Sequence, residues 1–257
     1  MIKIIDNNFT RFDEFKSFCK LDSFGTRIYS HFLCYGYDCK FADFWVQLVD
    51  SVITAAICKL EGDFVACISE NADIYELESF LCFQQKSTLT FDKKYAQDIN
   101  LQCDNFAVGD VLEYTDFSVK NNENTIINPE IKDYYALLKT CESDHFFVPE
   151  YMYFLSDTMH RKNKDLCDVF AVSKDNKVVC AAMTVSHTED AVILGAVATH
   201  PDYRKQGLGG YVVSSLANKH KDKNDVFIYT TIKKNTRFYE TLGFKVVAEW
   251  IKFTYGG

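Results

Sequence analysis

The residues best suited to chemistry in this sequence lie between Thr199 and Leu216, which reads THPDYRKQGLGGYVVSSL. Two cationic side chains, Arg204 and Lys205, precede glycines at positions 207, 209 and 210, and apolar residues then follow at helical spacing. Glycines let a ligand approach the backbone closely, and the first amides of a helix have no partner within it. Because the helix dipole adds partial positive charge there, the pattern predicts a site for a phosphate-like anion.

Two familiar phosphate-binding motifs do not fit this stretch. The dinucleotide fingerprint G-x-G-x-x-G would need glycine at position 212, where the sequence has Val212. The P-loop pattern G-x-x-x-x-G-K-[ST] does not occur in the sequence, which disfavours nucleoside triphosphates. The pattern that fits is R-x-x-G-x-G, from Arg204 through Gly207 to Gly209.

With that pattern, the stretch resembles the acyl-CoA motif of the GNAT superfamily of acyl-CoA-dependent N-acetyltransferases. A second stretch, NTRFYETLGFKVV from Asn235, resembles the asparagine, aromatic-tyrosine and glycine-phenylalanine ending typical of that family. The resemblance covers residues 167–254, about a third of the chain. It implies an α/β (α+β) fold with a mixed, mostly antiparallel sheet, flanking helices and a splayed central strand pair that admits the acyl-CoA.

The resemblance also implies how the chain holds acetyl-CoA, the expected acyl donor. Pantetheine is expected along the strand after Gly195, a glycine that marks a bulge or simply allows close packing. Pyrophosphate is expected on the amides at the helix start, and Asn235 either contacts the cofactor or caps its own helix. The predicted cofactor-binding residues are Ala196, Val197, Ala198, Thr199, Arg204, Lys205, Gln206, Gly207, Leu208, Gly209, Gly210 and Asn235.

Acyl transfer to an amine needs a donor for the developing oxyanion and an acid for the leaving thiolate. A backbone amide freed by a bulge, at Val197 or Ala198, is the predicted oxyanion donor. Tyr239 is the predicted catalytic acid, because it occupies the place of the family's tyrosine and a phenol with an ordinary pKa of ~10 suits protonation of a thiolate. The alternative for Tyr239 is a core tyrosine of an amphipathic helix.

The sequence shows no clear general base. His187, Glu189 and Asp190 lie near one predicted turn, where side chains are usually only solvated. A water chain, or a substrate that arrives deprotonated, serves equally well. Phe238 and Phe244 are assigned to packing.

The composition is that of a globular protein, with 47% hydrophobic and 25% charged residues among 257. Ten cysteines are scattered without C-x-x-C or zinc spacing, so we expect reduced thiols in a cytoplasmic protein and no metal. No uncharged apolar run reaches the ~20 residues of a membrane span, and the start is unlike a signal peptide. No membrane partner is therefore expected.

The net charge of -8 is unevenly distributed. Residues 1–120 contain 11 Lys+Arg and 19 Asp+Glu, whereas residues 121–257 contain 17 of each. The acidic front part argues against nucleic-acid binding and suits a cationic ligand, although a solvated surface explains it as simply. Basic residues near the end suit the phosphates of coenzyme A, with a solvated face as the alternative. They are Lys219, Lys221, Lys223, Lys233, Lys234 and Arg237.

Periodicity predicts the elements that must position these residues. Helices are predicted over 9–20, 73–82 with Asp73 as N-cap, 131–141 and 149–163. Residues 43–69 and 169–199 each predict a three-stranded meander followed by a helix, which is a weak internal repeat or a chance similarity. The polar segment 121–130 is the predicted linker.

Two domains are therefore expected. Residues 121–257 form the catalytic GNAT-like N-acetyltransferase domain. Residues 1–120 form a degenerate companion α/β domain with an antiparallel meander, which resembles the front regions of two-part bacterial acetyltransferases. The companion domain is expected to wall the acceptor cleft or to make a dimer contact, which leaves a homodimer open.

The leading functional hypothesis is an N-acetyltransferase. It transfers an acetyl group from acetyl-CoA to a primary amine of a cationic acceptor, by direct attack in a ternary complex. A small molecule or a protein amine is the expected acceptor. The alternative is a catalytically weak acyl-CoA-binding regulatory or structural module.

Overall fold

The computed structural model describes residues 1–115, 123–143, 146–222, 225–231 and 233–256. The chain divides into two compact units, Met1–Val111 with Val247–Gly257, and Leu112–Val246. The boundary predicted from the sequence lies instead after residue 120, with the whole end of the chain in the second domain. The end belongs with the first unit because Trp250–Thr254 pairs antiparallel with Thr88–Asp92. The predicted linker falls in the second unit, and its residues 121 and 122 lie outside the described ranges.

The first unit is built on a sheet whose strand order is β1-β2-β3-β4-β5-β11. Its elements are β1 (Ile2–Ile4), α1 (Phe12–Cys19), α2 (Ser23–Tyr35), β2 (Ala42–Val49), β3 (Val52–Leu60), β4 (Asp63–Ile68), α3 (Ile74–Phe83), β5 (Thr88–Asp92), part of β6 (Asn105–Tyr114) and most of β11 (Phe244–Thr254). Only β4 and β5 pair in parallel among the pairs described here. The predicted meander, the helix at 9–20 and the helix capped by Asp73 are confirmed.

Helices cover both faces of the first-unit sheet. Neighbouring residues of a strand point to opposite faces. On β2, Phe44 packs against Phe32 of α2, with ring centroids 5.3 Å apart, and Trp45 packs against Phe80 of α3, also at 5.3 Å. The helix α2 was not predicted, because SFGTRIYSHFLCY combines a glycine with β-branched and aromatic residues of low helix propensity.

The second unit repeats this architecture, with the strand order β11-β6-β10-β9-β8-β7. Besides parts of β6 and β11, its elements are α4 (Ile131–Thr140), α5 (Tyr151–Lys162), β7 (Val169–Lys174), β8 (Lys177–His187), β9 (Ala191–Thr199), α6 (Leu208–His220), β10 (Asp225–Thr230) and α7 (Lys233–Glu240). The predicted helices at 131–141 and 149–163 and the second meander are confirmed. In both units, the three-stranded meander is followed by a helix and then by a strand that pairs in parallel with the third strand of the meander. This shared order supports the predicted repeat.

The helices α4 and α6 lie on opposite faces of the second-unit sheet. Ala181 and Met183 of β8 belong to the apolar cluster of α4, whereas Cys180 and Ala182 belong to the cluster of α6. The predicted mixed, mostly antiparallel sheet with flanking helices is therefore confirmed. No helix within the described ranges is long and apolar enough to cross a membrane. None of the ten cysteines, all of which are described, forms a disulfide.

Candidate functional site

The two central strands of the second unit separate toward the end of β9. The parallel register runs from Ala191 opposite Asp225 to Leu194 opposite Ile228 and stops there, although β9 continues to Thr199. Residues 191–194 are buried, whereas residues 195–197 are half-buried. The predicted splay is therefore confirmed, and it leaves strand backbone facing a gap that a ligand's amides can pair with.

A β-bulge lies within this separating part of β9. Ala181 of β8 faces Ala198, but Met183 faces Gly195, so β9 carries one residue more than β8 over this interval. Ala196 has a φ of 47°, in the left-handed region that residues other than glycine seldom adopt. Gly195 is not the bulge residue, because it is paired with Met183. A Cβ at Gly195 would lie 2.7 Å from Val185 Cγ1. Its role is close packing, the second of the two alternatives predicted for it.

The helix α6 begins at the predicted position. Gly207 is its N-cap, with a φ of 77°, and the amide of Tyr211 donates to the Gly207 carbonyl at 3.0 Å. The amides of residues 208–210 precede this first hydrogen bond of the helix, so they have no partner within it. A Cβ at Gly207 would meet open space, and Arg204 and Lys205 are exposed just before it. These features fit a phosphate-like anion.

The end of β9, the start of α6 and the helix α7 converge. The Arg204 Nε donates to the Thr199 carbonyl at 3.1 Å. A Cβ at Gly209 would lie 3.3 Å from Thr199 Oγ1 and 3.6 Å from Phe238 Cζ. Phe238 is 37% exposed, so its assignment to packing was incomplete, whereas Phe244 is buried as predicted.

Tyr239 lies in the apolar core of the second unit rather than on its surface. It is 7% exposed, and its ring centroid lies 5.9 Å from that of Phe244. Leu208 belongs to the same apolar cluster, and Val197 packs against that cluster. Burial raises the pKa of Tyr239 to about 12. The phenol is thus protonated at neutral pH, and its role as catalytic acid stays a prediction.

Several other candidates lie away from this convergence. Asn235 is the third residue of α7 and exposed, so its interpretation as the helix cap is wrong, and its cofactor contact stays a prediction. His187, Glu189 and Asp190 lie at the opposite end of β9, where five residues of extended strand, roughly 17 Å, separate Ala191 from Ala196. They cannot act directly at the bulge.

The basic residues of the chain end do not form one rim. Lys219 lies in the last turn of α6, far from the helix start, and pairs with Asp168. Lys233, Lys234 and Arg237 are exposed on α7, and the predicted Lys223 lies outside the described ranges. No group of three or more His, Cys, Asp or Glu within those ranges is arranged to hold a metal ion.

The first unit differs at the place that corresponds to the start of α6. The Asp73 carboxylate accepts from the Glu76 amide at 3.0 Å and caps α3. The Glu76 carboxylate in turn accepts from the Met1 amine at 2.7 Å and from Gln47 Nε2 at 2.9 Å. The chain's own carboxylates thus occupy this helix start. The degenerate character of the front part stays a prediction, with which this arrangement is compatible.

Comparison with known proteins places the site in a family. Residues 165–246 match the family model of the acetyltransferase (GNAT) domain. A GNAT-family acetyltransferase from Colwellia psychrerythraea has a similar fold, with a TM-score of 0.62 and 13% identity over 100% of both chains. A Drosophila protein gives a TM-score of 0.66 and 10% identity over 98% of both chains. A search of curated proteins finds no match.

The matched region contains the meander, the bulge, the glycine-lined helix start and Tyr239. The C-terminal part of this chain therefore contains a match to the acetyltransferase domain of the GNAT family, whose members transfer acyl groups from acyl-CoA. A tandem GNAT protein from the clavulanic acid biosynthesis pathway has the same fold across 99% of this chain and 98% of its own, with a TM-score of 0.59 and 8% identity. Two GNAT-like units in one chain are consistent with that neighbour.

Proposed function

We propose that the second unit is an N-acetyltransferase that transfers an acetyl group from acetyl-CoA to a primary amine of a cationic acceptor. The observation that carries the proposal is the contact between the start of α6 and the bulged end of β9, where Arg204 binds the Thr199 carbonyl. An anion-binding helix start here adjoins strand backbone with unpaired groups. Pyrophosphate and pantetheine amides are linked in the same order in coenzyme A.

The chain's own residues define how the donor is held. The amides of residues 208–210 face the pyrophosphate, and Arg204 and Lys205 add full positive charge beside it. The backbone of Ala196–Thr199 pairs with the pantetheine amides in the gap beyond Leu194. The donor supplies an activated thioester, and its sulfur is expected at the bulge.

In the proposed reaction the amine nitrogen attacks the thioester carbonyl in a ternary complex, so a C–N bond forms and the C–S bond breaks. A bulge amide, from Val197 or Ala198, donates to the carbonyl oxygen as charge develops. Tyr239 gives its phenolic proton to the departing thiolate, and the proton released by the amine returns to the phenolate. A phenol with a pKa near 12 always carries that proton at neutral pH.

Two further features support the choice of acceptor and compartment. The net charge of -8 lies within residues 1–120 and favours a cationic amine through long-range attraction. Ten cysteines without a disulfide suit a reducing compartment, so we place the reaction in the cytoplasm.

The alternative function is an acyl-CoA-binding module with little or no turnover. The burial of Tyr239 favours it, because a phenol among apolar side chains needs an open path to the leaving thiolate. In this alternative, the helix start and the bulge still bind acyl-CoA, but no acyl group is transferred.

Thiol release from acetyl-CoA with a panel of amines separates the two functions. The panel comprises a polyamine, an aminoglycoside, single amino acids, and peptides with a free N-terminus or a lysine. Turnover with one class supports the enzyme, and comparison with longer acyl-CoAs then defines the donor. A melting-temperature rise with acetyl-CoA but no thiol release supports the module. Absence of both contradicts both functions.

A further inference from the structure

The bulge in β9 is held from outside the strand by a buried tyrosine. Tyr134 lies on α4 with 0% of its side chain exposed, and its ring packs 5.9 Å from that of Phe154. Its hydroxyl donates to the Ala196 carbonyl at 2.7 Å. Burial raises the pKa of the Tyr134 phenol well above its usual range, so the group stays a neutral donor.

This hydrogen bond fixes the peptide that joins Ala196 to Val197. The carbonyl of Ala196 and the N–H of Val197 belong to one planar trans peptide, so they point in opposite directions. With the carbonyl held toward α4, the Val197 N–H points away from α4, toward the sheet face that carries α6. The donors of the helix start lie on that face.

The backbone of Ala196 would not hold this orientation unaided. A φ of 47° is unfavourable for alanine, and such conformations persist only where surrounding contacts over-determine them. A hydrogen bond that opposes rotation of this peptide comes from the Tyr134 hydroxyl. Without this hydrogen bond, the Ala196–Val197 peptide is freer to rotate, and the Val197 N–H no longer keeps one fixed orientation.

We infer that Tyr134 is a positioning residue, which orients the Val197 amide as the oxyanion donor of the acyl transfer. The inference rests on the proposed function and deepens it, because it selects Val197 over Ala198. Tyr134 does not touch the reacting atoms. It acts through the Ala196–Val197 peptide alone.

The test compares Tyr134→Phe with Tyr135→Phe. Tyr135 is the next residue of α4, and its hydroxyl also donates to a backbone carbonyl, that of Pro149 at 3.0 Å. Tyr134→Phe should lower kcat about 10- to 100-fold, since misdirecting one oxyanion donor costs part of what its removal costs. The KM for acetyl-CoA should stay within about twofold, because the helix start is unchanged. Tyr135→Phe should change neither parameter.

A second variant and a second measurement keep the inference testable even if Tyr134→Phe folds poorly or the wild type shows no turnover. Replacement of Tyr134 by 4-aminophenylalanine keeps a ring and a donor and should retain the wild-type kcat. In amide NMR spectra, acetyl-CoA should shift the Val197 resonance in the wild type and the 4-aminophenylalanine variant but not in Tyr134→Phe, while Gly209 and Gly210 shift in all three.

The outcomes distinguish failure of the inference about Tyr134 from failure of the proposed function. A Tyr134→Phe enzyme with kcat within about twofold of wild type, or an unchanged Val197 shift, overturns the inference alone. Loss of kcat in the 4-aminophenylalanine variant overturns it too. If the wild type binds acetyl-CoA but turns over no amine, the proposed function fails, and the NMR comparison still decides whether Tyr134 orients Val197.

Discussion

Gly209 and Thr199 lie so close that a side chain on Gly209 would begin 3.3 Å from the Thr199 hydroxyl oxygen. Thr199 is the last residue of β9, and Gly209 is the second residue of α6. The contact therefore holds the start of α6, the proposed anion site, against the end of the bulged strand. A side chain at this position would need the Thr199 hydroxyl to shift by a few tenths of an ångström. The absence of a side chain also leaves the amides of the first turn accessible.

This contact makes Gly209→Glu a direct test of the donor site. A carboxylate there lies where the pyrophosphate is expected, and like charges repel. Acetyl-CoA should raise the melting temperature of the wild type by mass action and should not raise that of Gly209→Glu. The measurement is thermal unfolding with and without acetyl-CoA.

The matched control for Gly209→Glu is Gln97→Glu, an added carboxylate at an exposed position of the first unit. It should keep the wild-type rise. Gly209→Glu is expected to lower the melting temperature without ligand as well, because its Cβ crowds Thr199, so the ligand-induced shift is the quantity to compare. An equal ligand-induced shift in all three proteins would mean that acetyl-CoA does not bind at this site.

Tyr239→Phe tests the proposed acid. The substitution keeps the ring that packs against Phe244 and removes only the phenolic oxygen. Turnover should fall roughly 10²–10⁴-fold, the usual scale for loss of general acid catalysis, while the affinity for acetyl-CoA changes little. Steady-state kinetics with the best amine of the panel measure both.

Tyr255→Phe is the matched control. Tyr255 lies in the first unit, and burial raises the pKa of this tyrosine as well. It should leave turnover unchanged. Turnover of Tyr239→Phe within about threefold of wild type would make Tyr239 a packing residue and favour the binding module.

The pH dependence of turnover gives an independent test of Tyr239. An acid must be protonated, so its contribution is present below its pKa and lost as the pH rises through that value. Since burial raises the pKa of Tyr239 to about 12, turnover should not decline between pH 8 and pH 10 through ionisation of this group. A decline in that range that disappears in Tyr239→Phe would contradict the burial of the phenol.

His187 gives the second unit an acid-sensitive element. Burial, and then the neighbouring His220, lower the pKa of His187 below its usual value. The unfolded chain therefore binds its proton more readily, so stability is present above the ordinary histidine pKa of ~6.5 and is lost as the pH falls below it. The melting temperature should fall by a few degrees between pH 7.5 and pH 5.5, and His187→Gln should reduce that fall. His160→Gln, on the exposed side of α5, is the control and should leave it unchanged.

The local features of the site could be predicted from the sequence, and its non-local features could not. The start of α6 follows from three glycines and an apolar helical pattern, all within one short stretch. In contrast, the positive φ of Ala196 belongs to a bulge that is defined by the register of β9 with β8, and nothing near Ala196 in the sequence predicts that register. The hydrogen bond of Tyr134 could not be predicted from the residues around it, since its carbonyl partner lies 62 positions away.

The same limit explains two further differences. Thr236 and Tyr239 are buried at a helical spacing of three, so Phe238, about 100° around the helix, turns outward toward Gly209. Its aromatic character alone suggested the core. The pairing of Trp250–Thr254 with the first unit joins segments far apart in sequence, which local periodicity cannot register.

The acidic front part leads to a prediction about the acceptor. The net charge of -8 lies in residues 1–120, and attraction between a charged protein and a charged ligand is screened over ~8–10 Å at physiological salt. Raising the salt concentration should therefore raise the KM for a polycationic amine more than the KM for a singly charged one. Acetyl-CoA must be saturating in these assays, because its phosphates make its own binding salt-dependent.

The salt experiment is preferable to a truncation at residue 121, which would separate Trp250–Thr254 from its partner Thr88–Asp92 and so remove part of a sheet. The matched comparison is between two acceptors on one intact enzyme, for example a polyamine and a monoamine of similar length. A single positive charge interacts with the same field, so it should show the smaller increase in KM. Equal increases for the two amines would mean that the charge of residues 1–120 only solvates the protein surface and has no part in acceptor selection.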